Sequence, residues 1–135
     1  MNRKIILFLS VLVVSLIMAG CLETREKAPL STPEIRTAID TKDSFVILFF
    51  YDPSMGTSQE QLEILYDIKQ NHSDSVILLP YAMDNPESFD AKEGYRVRST
   101  PTTVVIDDEG YIVKTFTKIT FEKMIEELIL QDIKK

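Results

Sequence analysis

Thiols are what this sequence has least of: one cysteine, Cys21, in 135 residues. That excludes an intrachain disulfide framework and a cysteine-rich metal centre. There is no tryptophan, and a nucleophile in need of an imidazole has only His72 to call on. Cations are also in deficit, with 15 Lys and Arg against 21 Asp and Glu. Residues 1–20 hold Arg3, Lys4 and no acid, so a net charge of −6 becomes −8 for the remainder. A body of that sign does not track a phosphate backbone, and nucleic acid is not an expected partner. Internal repeats and low-complexity tracts are absent too.

The longest apolar run is at the start. Met1-Asn2-Arg3-Lys4 is basic, and Ile5 to Gly20 is apolar apart from Ser10 and Ser15. A basic n-region, an apolar h-region and small residues at the end make a secretory signal, and the run is shorter than the ~20 residues of a membrane-spanning helix. Its end, Leu16-Ile17-Met18-Ala19-Gly20-Cys21, resembles the lipobox of prokaryotic lipoproteins. The resemblance implies that Cys21 becomes the first mature residue and carries lipid on its sulfur. That would place the domain on the outer face of the cytoplasmic membrane, in the cell envelope. An uncleaved anchor helix is the alternative, and either form exports the domain and tethers it. The expected divisions are a lipoprotein signal over 1–20, a polar, unpatterned tether over 21–30, and one domain over 31–135, near the common domain size.

Within the domain, Ser31-Thr32-Pro33-Glu34 marks a helix start, with a hydroxyl cap, a first-turn proline and an early acid; Ile35, Ala38 and Ile39 follow on one face. Phe45 to Tyr51 is apolar at every position, the pattern of a strand covered on both faces. A helix is expected from about Met55 to Gln70, covering the sheet with Leu62, Leu65, Tyr66 and Ile68. Val76 to Met83 reads as a second buried strand, with Pro80 as its blemish. Asp84-Asn85-Pro86 stops it, with Asp84 in place to cap the strand end, and Glu87 to Glu93 reads as a short helix. Val104–Ile106 and Tyr111–Val113 flank Asp107-Asp108-Glu109-Gly110, an antiparallel hairpin with Gly110 free to take positive φ. The chain closes on a stripe of Phe121, Met124, Ile125, Leu128, Ile129 and Ile133, with Glu122, Lys123, Glu126 and Glu127 on the solvated side. The fold class is α/β: a three-layer sandwich with a mixed sheet of about four strands between helices.

Three stretches give that order a family. Phe50-Tyr51-Asp52-Pro53-Ser54-Met55-Gly56-Thr57-Ser58 resembles the active-site turn of thioredoxins and disulfide isomerases. Met83-Asp84-Asn85-Pro86 is similar to the end of the family's next strand, and Tyr95 to Thr102 to the segment that carries a cis-proline before the hairpin. The resemblance to the thioredoxin-like superfamily spans Ser31 to Lys135 and implies a cis Thr100–Pro101 bond facing the turn. In that family a cysteine at a helix N-terminus has its thiolate stabilised, and a second cysteine three residues on resolves the mixed disulfide. Here the gapless register sets Met55 and Ser58 at those positions, and a register one residue earlier sets Ser54 and Thr57. Neither supplies a thiol, and Phe49 stands where a buried acid is often found.

The residues therefore predict a tethered domain without dithiol exchange. The degenerate turn Ser54, Met55, Gly56, Thr57 and Ser58 would form with Thr100 and Pro101 a groove for a protein or an extended peptide. The alternative is a member of a thiol–disulfide pathway acting through Cys21 or a partner's cysteines. A Ser–His pair is not expected, because His72 ends the helix that Ser58 begins, roughly 20 Å away at 1.5 Å per residue. Thr57-Ser58-Gln59-Glu60 has capping-box spacing, and Ser54 can cap one turn earlier. Asp107-Asp108-Glu109 lacks the further acids of a calcium loop and reads as a solvated turn. No cofactor and no metal site is expected.

Overall fold

The structure is a computed structural model that describes residues 24–133; the expected signal segment and Cys21 lie outside them. Helix α1 (Pro33–Ile39) starts where a proline fits the first turn and Thr32 Oγ1 accepts from the Ile35 N–H at 3.2 Å. Its buried residues, Ile35 and Ala38, lead into β1 (Phe45–Tyr51). Helix α2 (Gly56–Asn71), β2 (Val76–Ala82), a 3₁₀ turn (Pro86–Ser88) and α3 (Phe89–Gly94) come next. Strands β3 (Thr102–Ile106) and β4 (Ile112–Phe116) form a hairpin before α4 (Glu122–Ile133).

The sheet order is β2-β1-β3-β4, with β1 parallel to β2 and antiparallel to β3, and β3 antiparallel to β4. β1 is thus central, and its unbroken apolar run is divided between two cores. Val46, Leu48 and Phe50 pack with Ile35, Ala38, Ala91 and Val97 on the α1/α3 side. Phe45, Ile47 and Phe49 pack with Leu65, Ile68, Ile125 and Ile129 on the α2/α4 side. Each fully buried side chain of this kind contributes about 1.5–3 kcal/mol. The result is a mixed four-stranded sheet flanked by four helices.

Four expectations need correction. β2 is an edge strand, half-buried beyond Val76 except at the exposed Pro80, because among the described residues β1 is its only neighbour. That edge is also what accommodates Pro80, paired in register with Phe49, since half of an edge strand's N–H groups have no ladder partner to lose. On α2 the buried stripe is Ser58, Gln61, Leu65 and Ile68, with Tyr66 exposed. Gln61 earns its place by accepting from the Thr120 N–H through Oε1. On α4, Ile125 and Ile129 are buried while Met124 is exposed, as is Phe121, which precedes the helix that begins at Glu122. Its supposedly solvated acids meet the end of α2: Glu122 accepts from Asn71 Nδ2 at 3.4 Å, and Glu126 Oε1 lies 3.0 Å from His72 Nε2.

The fourth correction concerns the tether. The Ala28 N–H donates to Gly110 O, the Ile112 N–H donates to Glu26 O, and Lys27 bridges Tyr111 antiparallel. Ala28 is buried, and the Tyr95 hydroxyl donates to Pro29 O at 2.8 Å. Residues 25–29 are a strap laid against the hairpin.

Candidate functional site

The end of β1 sets the geometry. Asp52 Oδ1 accepts from the Ser54 N–H at 2.9 Å and from the Ser54 hydroxyl at 2.6 Å, so the carboxylate closes a tight turn on its own chain. Those bonds, the hydroxyl first, hold the Asp52 carboxyl below its ordinary range. Ser54 is therefore spent on Asp52 and does not cap α2. The helix N-cap is Met55, in extended conformation and without a side-chain cap bond. Nor does Thr57 cap: Ser58 is buried, and its Oγ accepts from the Asp52 N–H at 3.2 Å. Gln59 Nε2 reaches back to Pro53 O at 2.9 Å. Two side chains of the first helical turn thus hold the loop that precedes it.

The opposing wall comes from the chain before β3. The register pairs Phe50 with Thr102, so residues just before Thr102 lie beside the residues just after Phe50. The Thr100–Pro101 peptide is cis and Pro101 is buried. Thr100 Oγ1 donates to Met55 Sδ at 3.5 Å, closing a contact between residues 45 apart in sequence. Met55 is nonetheless 38% exposed. Among the described residues nothing bonds the Thr100 backbone N–H or C=O, which leaves a short stretch of strand edge beside the Met55 side chain. At the same end of the sheet the Met83 N–H donates to Tyr51 O, and a shallow cavity of about 150 Å³ opens between Met83 and Lys92. There Asn85, not Asp84, does the capping, by accepting from the Glu87 N–H at 3.0 Å.

The structure thus brings Met55 to Thr100, beside the cis Pro101, while Ser58 is buried behind the turn on the Asp52 N–H. It leaves Ser54, Gly56 and Thr57 on the exposed rim. Met55, rather than Ser54, is the residue that faces the proline loop. A thioether has no proton to lose, and a buried serine hydroxyl without a base is not a nucleophile. His72 is the C-cap of α2, paired with Glu126 at the other end of the helix. Asp52 and Gln59 are site residues that the pattern of the turn did not single out. The Asp-Pro-Ser spacing of an aspartate turn was the available signal for Asp52, whereas Gln59 shows itself only once the loop has folded back.

Asp107 also differs from its reading as a solvated turn residue. It is 1% exposed; Oδ1 accepts from the Glu109 and Tyr111 N–H groups at 3.0 and 2.8 Å, and Oδ2 is paired with Arg25. Asp108 and Glu109 are the exposed pair. Among the described residues, no group of three or more His, Cys, Asp or Glu is placed to share a metal ion.

A central strand ending in a turn and helix, faced by a cis-proline loop ahead of a hairpin, defines the thioredoxin fold, and the chain has it. The structure is similar to oxidised mitochondrial thioredoxin 3 of Saccharomyces cerevisiae, at 22% identity over 73% of this chain and 87% of that one, TM-score 0.59. It is similar to the germline-specific thioredoxin Deadhead of Drosophila melanogaster, at 21% identity over 78% and 96%, TM-score 0.58. Thioredoxin-2 of a malaria parasite, a component of its protein secretion machinery, matches at 17% identity over 71% and 87%, TM-score 0.56. No protein-family model matches the sequence, and no curated protein matches it.

Proposed function

We propose that the chain is a membrane-tethered, extracytoplasmic thioredoxin-fold protein without thiol–disulfide exchange activity, and that it binds an extended polypeptide at the groove between Met55 and Thr100. The observation that carries the reading is the Thr100 Oγ1 to Met55 Sδ contact at 3.5 Å, a family groove lined by a thioether in the place of a thiol. The open backbone edge at Thr100 supplies main-chain hydrogen bonds to an added strand, and Met55 supplies an adaptable apolar contact. The signal-like and lipobox-like pattern of residues 1–21 supports the tether, and the −8 charge of the rest does not favour a strongly acidic partner.

The test is a photo-crosslinker at Thr57, on the exposed rim of the turn, in cells that make the full chain. A polypeptide crosslinks to the parent protein, and Met55→Ala or Thr100→Glu removes that product. If both variants crosslink as the parent does, the groove is not the site. Thiol titration with an insulin-reduction assay on the purified mature protein examines the redox alternative, and a free thiol with turnover overturns the proposal.

A further inference from the structure

We propose that the strap at residues 25–29 fixes how the domain stands on the membrane, holding the Asp107–Gly110 hairpin beside the bilayer and turning the Met55–Thr100 groove toward soluble polypeptide. The inference rests on the tethered reading above and deepens it. A loose tether from Cys21 to Ser31 would be ten Cα–Cα steps, with a reach of roughly 36 Å. Because Arg25 is docked, only four Cα–Cα steps link it to Cys21, a reach of roughly 14 Å at most.

The docking is specific. The Asp107 side chain is fully buried, and Arg25, itself 45% exposed, is the cation paired with it. Arg25 also reaches Glu109 Oε2 at 3.1 Å and lies over the Tyr111 ring, 4.9 Å from its centroid. Lifting the strap would leave a buried carboxylate without its counter-charge, as well as two open backbone bonds at Gly110 and Ile112.

The strap lies at the end of the sheet opposite the groove. Val46 pairs with Ile106 and Phe50 with Thr102, so Asp107 lies beyond the start of β1 while the groove lies beyond its end. Six residues of strand rise, roughly 20 Å, separate Asp107 from Pro101. Charge does not draw the hairpin to an anionic surface, because Asp108 and Glu109 are exposed there. The short covalent link is what places it.

The test separates this geometry from the question of whether cells lipidate Cys21. Mature protein starting at Cys21 is attached through that thiol to a maleimide phospholipid in phosphatidylcholine vesicles that carry a headgroup nitroxide. A fluorophore is clicked onto an azide-bearing residue at Asp108, which is exposed, or at Gly56, where an added Cβ meets nothing within 4 Å. The Asp108 probe is quenched severalfold more than the Gly56 probe. A flexible insert of about ten Gly and Ser residues between Leu22 and Glu23 leaves the strap docked and erases the difference. Equal quenching at both positions without the insert, or stronger quenching at Gly56, overturns the inference. Intact mass of the native N-terminus separately reports lipidation, so failure of the tethered reading is seen as such.

Discussion

At Asp52 two hydrogen bonds from Ser54 hold a carboxylate at the lip of the groove and keep its pKa below the ordinary value, the hydroxyl bond being the larger cause. A carboxyl with a depressed folded pKa stabilises the native state above its unfolded value, near ~3.9, and loses that contribution as pH falls through the folded one. Asp52→Asn keeps an acceptor and removes the charge. Its urea midpoint is expected to lie slightly below the parent's at pH 7, with the gap closing as the pH is taken below about 4. A gap that persists in acid would assign the turn to hydrogen-bond geometry alone. The same lip makes a second, sharper prediction. Met55 stands at the N-cap of α2 and Ser58 three residues further on, so Met55→Cys with Ser58→Cys places a thiol where the helix terminus stabilises a thiolate. The double variant is expected to reduce insulin disulfides in a turbidity assay in which the parent is silent. A double variant that forms its disulfide but cannot turn over would show that the groove itself has drifted. Met55 and Ser58 were legible because a family turn can be laid on the sequence residue by residue. The role of Ser58 was not, since the capping-box spacing runs from Thr57 to Glu60 and says nothing of Ser58, whose Oγ accepts from the Asp52 N–H.

Among the elements, the ones read best are those whose own residues state their environment. Phe45 to Phe50 could only be a strand covered twice, and it is. The ones read worst take their environment from elsewhere in the chain. Val76 to Leu79 is apolar enough for a central strand, but the number of neighbours a strand has is a property of the topology, and β2 has one. Residues 25–29 have no pattern because their partners lie more than sixty residues away, on Tyr95, Asp107, Gly110 and Ile112. Arg25→Ala leaves the Asp107 Oδ2 atom buried without its cation, and the expected loss is about 1–3 kcal/mol in a urea titration, with Arg25→Lys recovering part of it. A loss near zero would mean that the strap is held by its backbone bonds alone. The hairpin carries a second constraint. Gly110 has φ +83, and a Cβ there would lie 2.9 Å from Ile39 Cγ2 on α1. Gly110→Ala is therefore expected to cost about 1–2 kcal/mol from the left-handed backbone alone. Thermal denaturation of Gly110→Ala beside Asp108→Ala, an exposed position in the same turn, separates that strain from any general intolerance of the hairpin.

For the molecule as a whole, the two cores are not equivalent. The α2/α4 side carries one phenol, Tyr51, stacked on Phe49, and buries Gln61, whereas the α1/α3 side has two phenols around Phe50. Tyr81 stacks on Phe50 with ring centroids 5.4 Å apart, and Tyr95 meets it at 6.3 Å. Burial raises both phenol pKa values; for Tyr95 the neighbouring Tyr81 adds to the effect. The sign of the pH dependence follows. Below the unfolded value near ~10 both states keep their protons and the native stability is complete. Above it the unfolded chain releases protons that the folded one still holds, so stability falls as pH rises toward the folded values. Tyr95→Phe loses the bond to Pro29 O, at a cost of about 0.5–1.5 kcal/mol at pH 8. It also removes one of the two phenols whose pKa burial raises. The informative quantity is the difference between parent and variant. Urea midpoints measured from pH 8 to 11 are expected to converge as pH rises, with Tyr81→Phe added to Tyr95→Phe flattening the profile further. Parallel profiles would show that the phenols meet solvent in the native state, and the packing around Phe50 would then have to be looser than these ring distances describe.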